Sequence, residues 1–592
     1  MGGIAGWIGG RNAPGEAALV APLESLAHRG GGPGAVLAFR AETGHRLAFG
    51  PAHYDPDAEI AVVLDAPLAN RAELQAALAP RGHRFEQGSA AELLVRAYEQ
   101  WDKDLVHHLR GAFAFALWDA RKERLMLARD RFGEKPLYLG EQGGTLYFAS
   151  QIAALVRMPG IQARLDAGAL HDYLTHRYVP GPRTLLSGIR KLAPGNYALW
   201  QFGRLRESRY WSPPDRQPFF FRSCENPVGE FTEKLDDAVK MHLPAGVLLS
   251  GGLDSAALVA LASRHGKVKT FAAGFADDPA SELKAAARVA QRFGAEHHEI
   301  VLSPRDVIAR LPQVVLDRDA PVSRPADVAL HFMAREAARG ARTVLTGEGA
   351  DEVLGGYRRH LAERYGWGFR SVPTVLILAA PLARQRPRLR AALASLRTPD
   401  WRERCVRWVG GAEYADLLNK SHSISAAKSA PPFDVDPRAS SLRRALYFDQ
   451  SSWLPDNVLE RTDRMTMAAS LEARAPFLDH RLAEFVSTLP DELRVRGLAT
   501  KWILREAARP LLKGLAPRKA GFRIPVGAWL RGELREFALE QLRGPGSLTR
   551  ACYDTKVLDR LIDQHLAGRR NHEDILWTLI NLETWHRACR PG

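Results

Sequence analysis

Apolar and polar positions change rhythm along the chain. Up to about residue 200 the apolar runs are short. Phe113-Ala114-Phe115-Ala116-Leu117-Trp118 alternates large and small side chains, as a buried strand does. Ala61-Val62-Val63-Leu64 and Arg124-Leu125-Met126-Leu127-Ala128-Arg129 are further strand candidates, and Ala90 to Gln100 between them has helical spacing. This part is expected to be β-rich with short helices. Residues 212–226, which open Ser212-Pro213-Pro214-Asp215, predict a linker. Beyond it strand-like runs alternate with helical ones: Gly246 to Leu249, Ala256 to Arg264, Lys269 to Phe275, Ser281 to Phe293. That alternation predicts an α/β fold with a parallel sheet, and helices dominate after about residue 330. No internal repeat is visible.

Length sharpens the division. The chain has 592 residues, and a single hydrophobic core stops growing near ~250–300 residues. Two domains are expected, 1–211 and 227–592. With 46% hydrophobic and 25% charged residues the composition is ordinary for a globular protein and excludes a disordered or fibrous chain. The four cysteines, Cys224, Cys405, Cys552 and Cys589, share no close spacing. That excludes a disulfide scaffold and a thiolate zinc site and fits a reducing cytoplasm. The N-terminus lacks the basic start and apolar run of a signal peptide. The longest apolar run, Val372 to Ala383, is broken by Pro373 and Pro381 and is too short to span a bilayer, so no membrane partner is expected.

The net charge is +15. Arg384, Arg386, Arg388, Arg390, Arg397, Arg402, Arg404 and Arg407 crowd one stretch. Such a patch can dock nucleic acid or an acidic partner, but no interleaved aromatic residues accompany it as a stacking platform would need. It is read as a solvated helical face, with no nucleic-acid partner.

Chemistry concentrates in Val247-Leu248-Leu249-Ser250-Gly251-Gly252-Leu253-Asp254-Ser255. An apolar strand runs into Ser-Gly-Gly, and a helix begins near Ser255. Glycines let a backbone approach an anion without a Cβ in the way, and free N–H groups at a helix start hold negative charge. Ser250 and Ser255 add hydroxyl donors. Beside a polyphosphate, the Asp254 carboxylate makes sense as a Mg²⁺ ligand. A capped strand–helix turn is the bland alternative, which the full Ser-Gly-Gly-x-Asp-Ser string disfavours. A second constellation, Thr346-Gly347-Glu348-Gly349-Ala350-Asp351-Glu352 with Gly355-Gly356-Tyr357, follows the apolar run Thr343-Val344-Leu345. Open α/β sheets place ligands at such strand ends, and three carboxylates in five residues call for a metal or cation. In the third, Leu515 to Pro525, Lys519 is flanked by glycine and proline.

The first segment resembles the pyrophosphate-binding loop of ATP pyrophosphatases. With Leu454-Pro455-Asp456-Asn457, Asp463-Arg464-Met465, Leu471 to His480 and Arg518 to Pro525, the ordered set is similar to the synthetase domain of glutamine-hydrolysing asparagine synthetases. Ile4-Ala5-Gly6, His28-Arg29-Gly30, Leu109 to Phe115 and Ala128 to Tyr138 resemble the amidotransferase domain of the same family. The resemblance implies an αββα amidotransferase-like sandwich followed by an ATP-pyrophosphatase domain. It implies that Leu249, Ser250, Gly251, Gly252, Asp254, Ser255, Gly274 and Gly347 surround ATP, and that Asp254 and Asp351 hold Mg²⁺. By the same resemblance, Glu348 deprotonates the incoming amine and Lys519 stabilises negative charge around the acyl-adenylate.

The chain departs from the family where glutamine is hydrolysed. The nucleophilic cysteine position is Gly2, which has no nucleophile. The oxyanion segment reads Asp65-Ala66-Pro67-Leu68-Ala69-Asn70: Pro67 lacks an N–H, and Asp65 brings negative charge to where an oxyanion must develop. Arg29-Gly30-Gly31-Gly32 and Ser89-Ala90-Ala91-Glu92 lose family acids, and the arginine that would hold the glutamine carboxylate is absent between Phe49 and Ile60. These departures imply an inactive glutaminase. The substrate region also differs: Asp319-Ala320-Pro321-Val322-Ser323-Arg324-Pro325 replaces two family acids with Ala320 and Arg324. The expected activity is ATP-dependent amide formation from a carboxylate and an amine that is not released from glutamine on this chain. A macrolactam-forming cyclase similar to lasso-peptide cyclases, acting on a precursor peptide with a leader peptidase as partner, is preferred over an ammonia- or small-amine-dependent ligase and over a non-catalytic scaffold. β-Lactam synthetases rank lower because they carry a tyrosine where this chain has Glu348.

Overall fold

Alternation in the strand Ala114–Asp119 sorts its side chains between two cores. Phe115 and Leu117, with the preceding Phe113, face the helices Arg71–Leu78 and Ala90–Trp101, while Ala114, Ala116 and Trp118 face a second sheet. Phe115 is 0% and Trp118 2% exposed, and burying side chains of this size stabilises by about 2–3 kcal/mol each. The neighbouring strands Ile60–Asp65 and Arg124–Arg129 pair antiparallel on either side and divide their residues in the same way. Two six-stranded sheets result, joined face to face, with helices outside both: the expected αββα sandwich. The computed structural model describes the chain apart from residues 1, 11, 31–35, 66–67, 87, 218–223, 276–281, 323, 371–394, 411–432, 516–524 and 590–592, and apart from the side chains of 367–370.

The C-terminal part is built on a parallel sheet of five strands, in the spatial order Glu296–Leu302, Lys269–Phe275, Gly246–Leu248, Thr343–Leu345, Glu472–Arg474. Lys269–Phe275, Gly246–Leu248 and Thr343–Leu345 are expected from sequence, whereas the edge strand Glu296–Leu302, with four polar residues at its start, is not. The helix Leu253–Ala262 is apolar on every side because it is buried on every side, from Asp254 to Ala262. Beyond the sheet the chain is mostly helical. A wide π-type helix, Asp449–Leu459, contains Pro455 and leads into the helix Glu460–Met467. Such widened turns are frequent at functional sites.

Buried charges join the two parts. Arg29, with its side chain 0% exposed, pairs with Asp65 at 2.6 Å and with Asp463 of the C-terminal part at 2.7 Å. Lys135 reaches Asp463 at 3.1 Å and Glu472 at 3.0 Å. Tyr138 donates to Glu460 at 2.5 Å, and Lys191 pairs with Asp456 and Glu460 at 3.0 Å each. Arg110 meets Asp479 at 2.5 Å. Removing one partner of such a pair leaves a buried uncompensated charge, at a cost of ~3–5 kcal/mol. The expected linker is anchored as well: Asp215 is buried between Arg494 at 2.7 Å and Arg443 at 3.4 Å.

Candidate active site at the sheet switch point

The strands Gly246–Leu248 and Thr343–Leu345 lie side by side, yet their crossover connections leave in opposite directions across the sheet. That is a topological switch point, where the carboxyl ends of an open sheet leave a crevice. The two constellations expected from sequence, Ser250–Ser255 and Thr346–Asp351, both emerge there.

The first loop is shaped by local contacts. Gly251 has φ +70°, and a Cβ on it would stand 2.7 Å from the Cβ of Ala285, so no other residue fits without strain. The Ser255 hydroxyl accepts the Ser250 N–H at 3.1 Å and lies 3.2 Å from the Ser250 hydroxyl. Gly252 caps the helix with no side-chain acceptor on its first N–H groups, which leaves those donors for an anion. Leu249 turns its side chain into the core and donates its N–H to Phe271 at 2.8 Å. Gly274 sits near the carboxyl end of the adjacent strand, paired with Val301. A Cβ on Gly347 would come within 3.0 Å of the Asp254 Cβ, so this glycine lets the two loops close on each other.

Asp254 and Asp351 converge on one cation that sequence reasoning missed. The Lys501 ammonium is 2.7 Å from both Asp254 carboxylate oxygens and 2.6 Å from Asp351. Lys501 is 5% exposed and takes a left-handed backbone, φ 52°, at the start of the helix Trp502–Ala508. Its neighbours in sequence carry no glycine-rich or acidic signature, so only the fold brings it here. Two carboxylates around a single positive group form a hard-oxygen donor pair that suits Mg²⁺.

Glu348 stands on the same loop, its side chain 29% exposed, with the Arg461 guanidinium at 2.7 Å. Arg461 also approaches Asp327 at 3.7 Å, and Asp327 in turn lies 3.9 Å from Arg318. Behind Glu348, burial and the nearby Asp351 push the Glu352 carboxyl up to about 8, and it accepts the Tyr357 hydroxyl at 2.6 Å. Arg359 lies over the Tyr357 ring at 3.8 Å and pairs with Asp449 at 2.9 Å. Ala320 and Pro321 line an open cleft at the junction of the two parts, shared with Arg177, Tyr178, Lys191 and Glu460. Asp319 is turned away from solvent, accepting the N–H of Ile152 and of Ala153.

Several expectations fall elsewhere. Lys519, the rest of 516–524, Gly31, Gly32, Pro67, Ser323, the run Val372 to Ala383 and Arg384 to Arg390 lie outside the described residues. Of the remaining arginines in the basic stretch, Arg404 is buried and pairs with Glu363 at 2.7 Å, so it is structural. On the amidotransferase side, Asp65 is neutralised by Arg29, and Glu92 accepts the N–H of Glu86 at 2.6 Å and of Gly88 at 2.7 Å.

Comparison with known proteins covers the whole of this architecture. Residues 230–587 match the family described as asparagine synthase, and residues 1–211 match a glutamine amidotransferase domain. A Mycobacterium tuberculosis protein, provisionally named as an asparagine synthetase (glutamine-hydrolyzing), is 33% identical over 567 residues, covering 91% of this chain and 86% of its own. Asparagine synthetase (glutamine-hydrolyzing) 1 of Bacillus subtilis is 29% identical over 545 residues, covering 89% and 85%. Amidase chyE of Penicillium rubens is 28% identical over 519 residues, covering 77% and 75%.

Proposed function

Since the chain belongs to the asparagine synthase family, whose members are ATP-dependent carbon–nitrogen ligases, we propose that it adenylates a carboxylate and passes the acyl group to an amine not released from glutamine by its own N-terminal domain. The observation that carries this reading is the meeting of Asp254, Asp351 and Lys501 beside the Ser250-Gly251-Gly252 loop. The substrate carboxylate attacks the α-phosphorus of ATP and pyrophosphate leaves. The amine then attacks the acyl carbon, AMP departs with the bonding electrons, and the amine proton passes to Glu348.

The chain's own groups have separate tasks in this scheme. The loop N–H groups and the Ser250 and Ser255 hydroxyls bind phosphate oxygens. Lys501 supplies positive charge where pyrophosphate leaves, which favours the transition state if the charge is held in advance. Asp254 and Asp351 would hold Mg²⁺, which would neutralise part of the triphosphate charge. Among the described residues no cluster of three or more His, Cys, Asp or Glu side chains stands ready for a metal, so the protein would contribute two carboxylates and the nucleotide further oxygens. Lys519 is proposed to add a second cation, and Leu249, Gly274 and Gly347 to border the nucleotide through their backbone.

The nitrogen source is argued from the N-terminal part. Residues 1–211 contain no cysteine, and Asp65 and Glu92 are already engaged by Arg29 and by backbone donors. An amine within the substrate then becomes the acceptor, as in a macrolactam-forming peptide cyclase acting in the cytoplasm on a precursor peptide delivered with a leader peptidase. The bacterial relatives are named as glutamine-hydrolyzing asparagine synthetases, and with no cysteine in residues 1–211 the second reading is a ligase of that kind that uses free ammonia or a separate small amine. ATP–pyrophosphate exchange with a panel of carboxylic acids and peptides tests the shared chemistry. Exchange that depends on one class of acid supports the reading, and its absence with every acid removes it.

A further inference from the structure

Arg324 is the one guanidinium in the wall beside Glu348 that the described residues leave without an acid. Its neighbours are all answered: Arg461 by Glu348 at 2.7 Å, Arg359 by Asp449 at 2.9 Å, Arg177 by Asp574 at 3.2 Å. Asp327, the remaining acid nearby, is 1% exposed and lies between Arg461 and Arg318. Arg324 has no acidic partner within 4.0 Å among the described residues, and its Nε–H is buried with no acceptor.

The side chain is nevertheless held in place. Its guanidinium lies 4.8 Å from the Trp453 ring centre, and Trp453 is fixed by its Nε1–H to the Tyr357 hydroxyl at 3.3 Å and by the Tyr178 ring at 5.7 Å. Tyr178 also lines the cleft that holds Ala320 and Pro321. Burial, followed by repulsion from Arg177, Arg461 and Arg359, brings the Arg324 guanidinium down to about 10, still charged at neutral pH. A stacked guanidinium with a buried unpaired donor costs stability unless an anion reaches it. Its fork geometry suits a carboxylate.

We propose that Arg324 forms an anion subsite for the acyl donor, taking a second carboxylate of an acid that carries no free ammonium beside it. This rests on the reading of Glu348 as the marker of the reacting end. With Arg177, Arg359 and Arg461 each paired to an acid, the uncompensated charge is that of Arg324, which attracts a carboxylate and repels an ammonium held beside it. An amine-free or N-acylated dicarboxylate, as within a peptide, fits this wall better than free aspartate.

The test is calorimetric titration of the full chain, with Mg²⁺ and a non-hydrolysable ATP analogue, using succinate, N-acetyl-L-aspartate, L-aspartate and butyrate. Succinate and N-acetyl-L-aspartate are expected to bind at least about tenfold more tightly than butyrate or aspartate, the scale of one charge-assisted hydrogen-bonded pair. Arg324→Gln removes the preference and Arg324→Lys keeps part of it, with analogue binding confirming that each variant is folded. Equal binding of butyrate, tighter binding of aspartate, no binding of either dicarboxylate, or an unchanged preference in Arg324→Gln overturns the subsite. Pyrophosphate exchange is read separately. Dicarboxylate binding without exchange would overturn the ligase reading alone, whereas exchange with monocarboxylates at equal efficiency would overturn the subsite alone.

Discussion

Lys501 sets its ammonium 2.7 Å from both carboxylate oxygens of Asp254, across 247 positions of sequence. A backbone at φ 52° directs it there, and the absence of a Cβ on Gly356 leaves the space that the Lys501 stem and the Asp351 carboxylate occupy. Lys501→Met keeps the stem and removes the charge. We expect pyrophosphate exchange to fall by ~10²–10³-fold, with the fold intact by circular dichroism. Asp254→Asn and Asp351→Asn should each cause a severe loss that excess Mg²⁺ relieves only in part. Near-wild-type exchange in all three variants would mean that the loop binds something other than a triphosphate.

Much of this framework is written in local sequence and some of it is not. Val344-Leu345 and Phe271 to Phe275, within the strands Thr343–Leu345 and Lys269–Phe275, are unbroken by polar residues because both faces of a parallel strand are covered, and they read directly. Glu472–Arg474 is a strand of the same sheet, yet two of its three residues are charged. Glu472 is tolerated there because Lys135 arrives from the other end of the fold. Lys501, Arg461 and Arg324 carry no periodic or glycine-rich signal, and their meaning depends on partners more than 100 residues away, such as Glu348 for Arg461, at a separation of 113. The motif residues Asp254, Glu348 and Asp351 were legible because they sit beside glycines at strand ends.

The buried charges between the two parts predict a pH response. Burial raises the Glu460 carboxyl, but Lys191, Arg318 and Arg464 outweigh it and hold the group at about 2, below its ordinary 4.5. A lowered carboxylate pKa stabilises the folded state above about pH 4.5, and that contribution is lost as the pH falls through about 2. Glu460→Gln is therefore expected to lower thermal stability clearly at pH 7, and the gap from wild type should narrow as the pH falls below about 4.5 and close only as it passes about 2. A gap that stays constant with pH would assign the loss to packing.

Lys135 offers a sharper stability test, since it faces Asp463 and Glu472 at 3.1 and 3.0 Å with Asp65 at 3.7 Å. Lys135→Met leaves these acids with Arg29 as their nearest compensation. The expected cost is ~3–5 kcal/mol, measured by urea denaturation. An effect below about 1 kcal/mol, the scale of an exposed pair, would show that water reaches this junction.

The N-terminal domain is expected to release no glutamate from glutamine above a no-enzyme control. Gly2→Cys alone should restore nothing, because the Arg29–Asp65 pair and the engaged Glu92 carboxylate would remain. Measurable glutaminase activity in the purified wild type would overturn the assignment of the nitrogen source, while activity appearing only in Gly2→Cys would reduce the departure to that one position.

Glu348 separates the two chemical steps. It sits on the loop that presents Asp351, but it faces Arg461 at 2.7 Å and not the Lys501 ammonium. A group so placed can take the amine proton after adenylation without sharing in the release of pyrophosphate. Glu348→Gln keeps the shape and a contact to Arg461 but cannot hold the proton. We expect pyrophosphate exchange to persist while amide product falls by ~10²–10⁴-fold, the range for a general base. Arg461→Met should weaken both the positioning of Glu348 and amide formation, with a smaller effect on exchange. Following exchange and amide product in parallel decides the matter. If Glu348→Gln abolished exchange as completely as Lys501→Met, the carboxylate would serve the nucleotide and its metal, and the base would have to be sought elsewhere in the crevice.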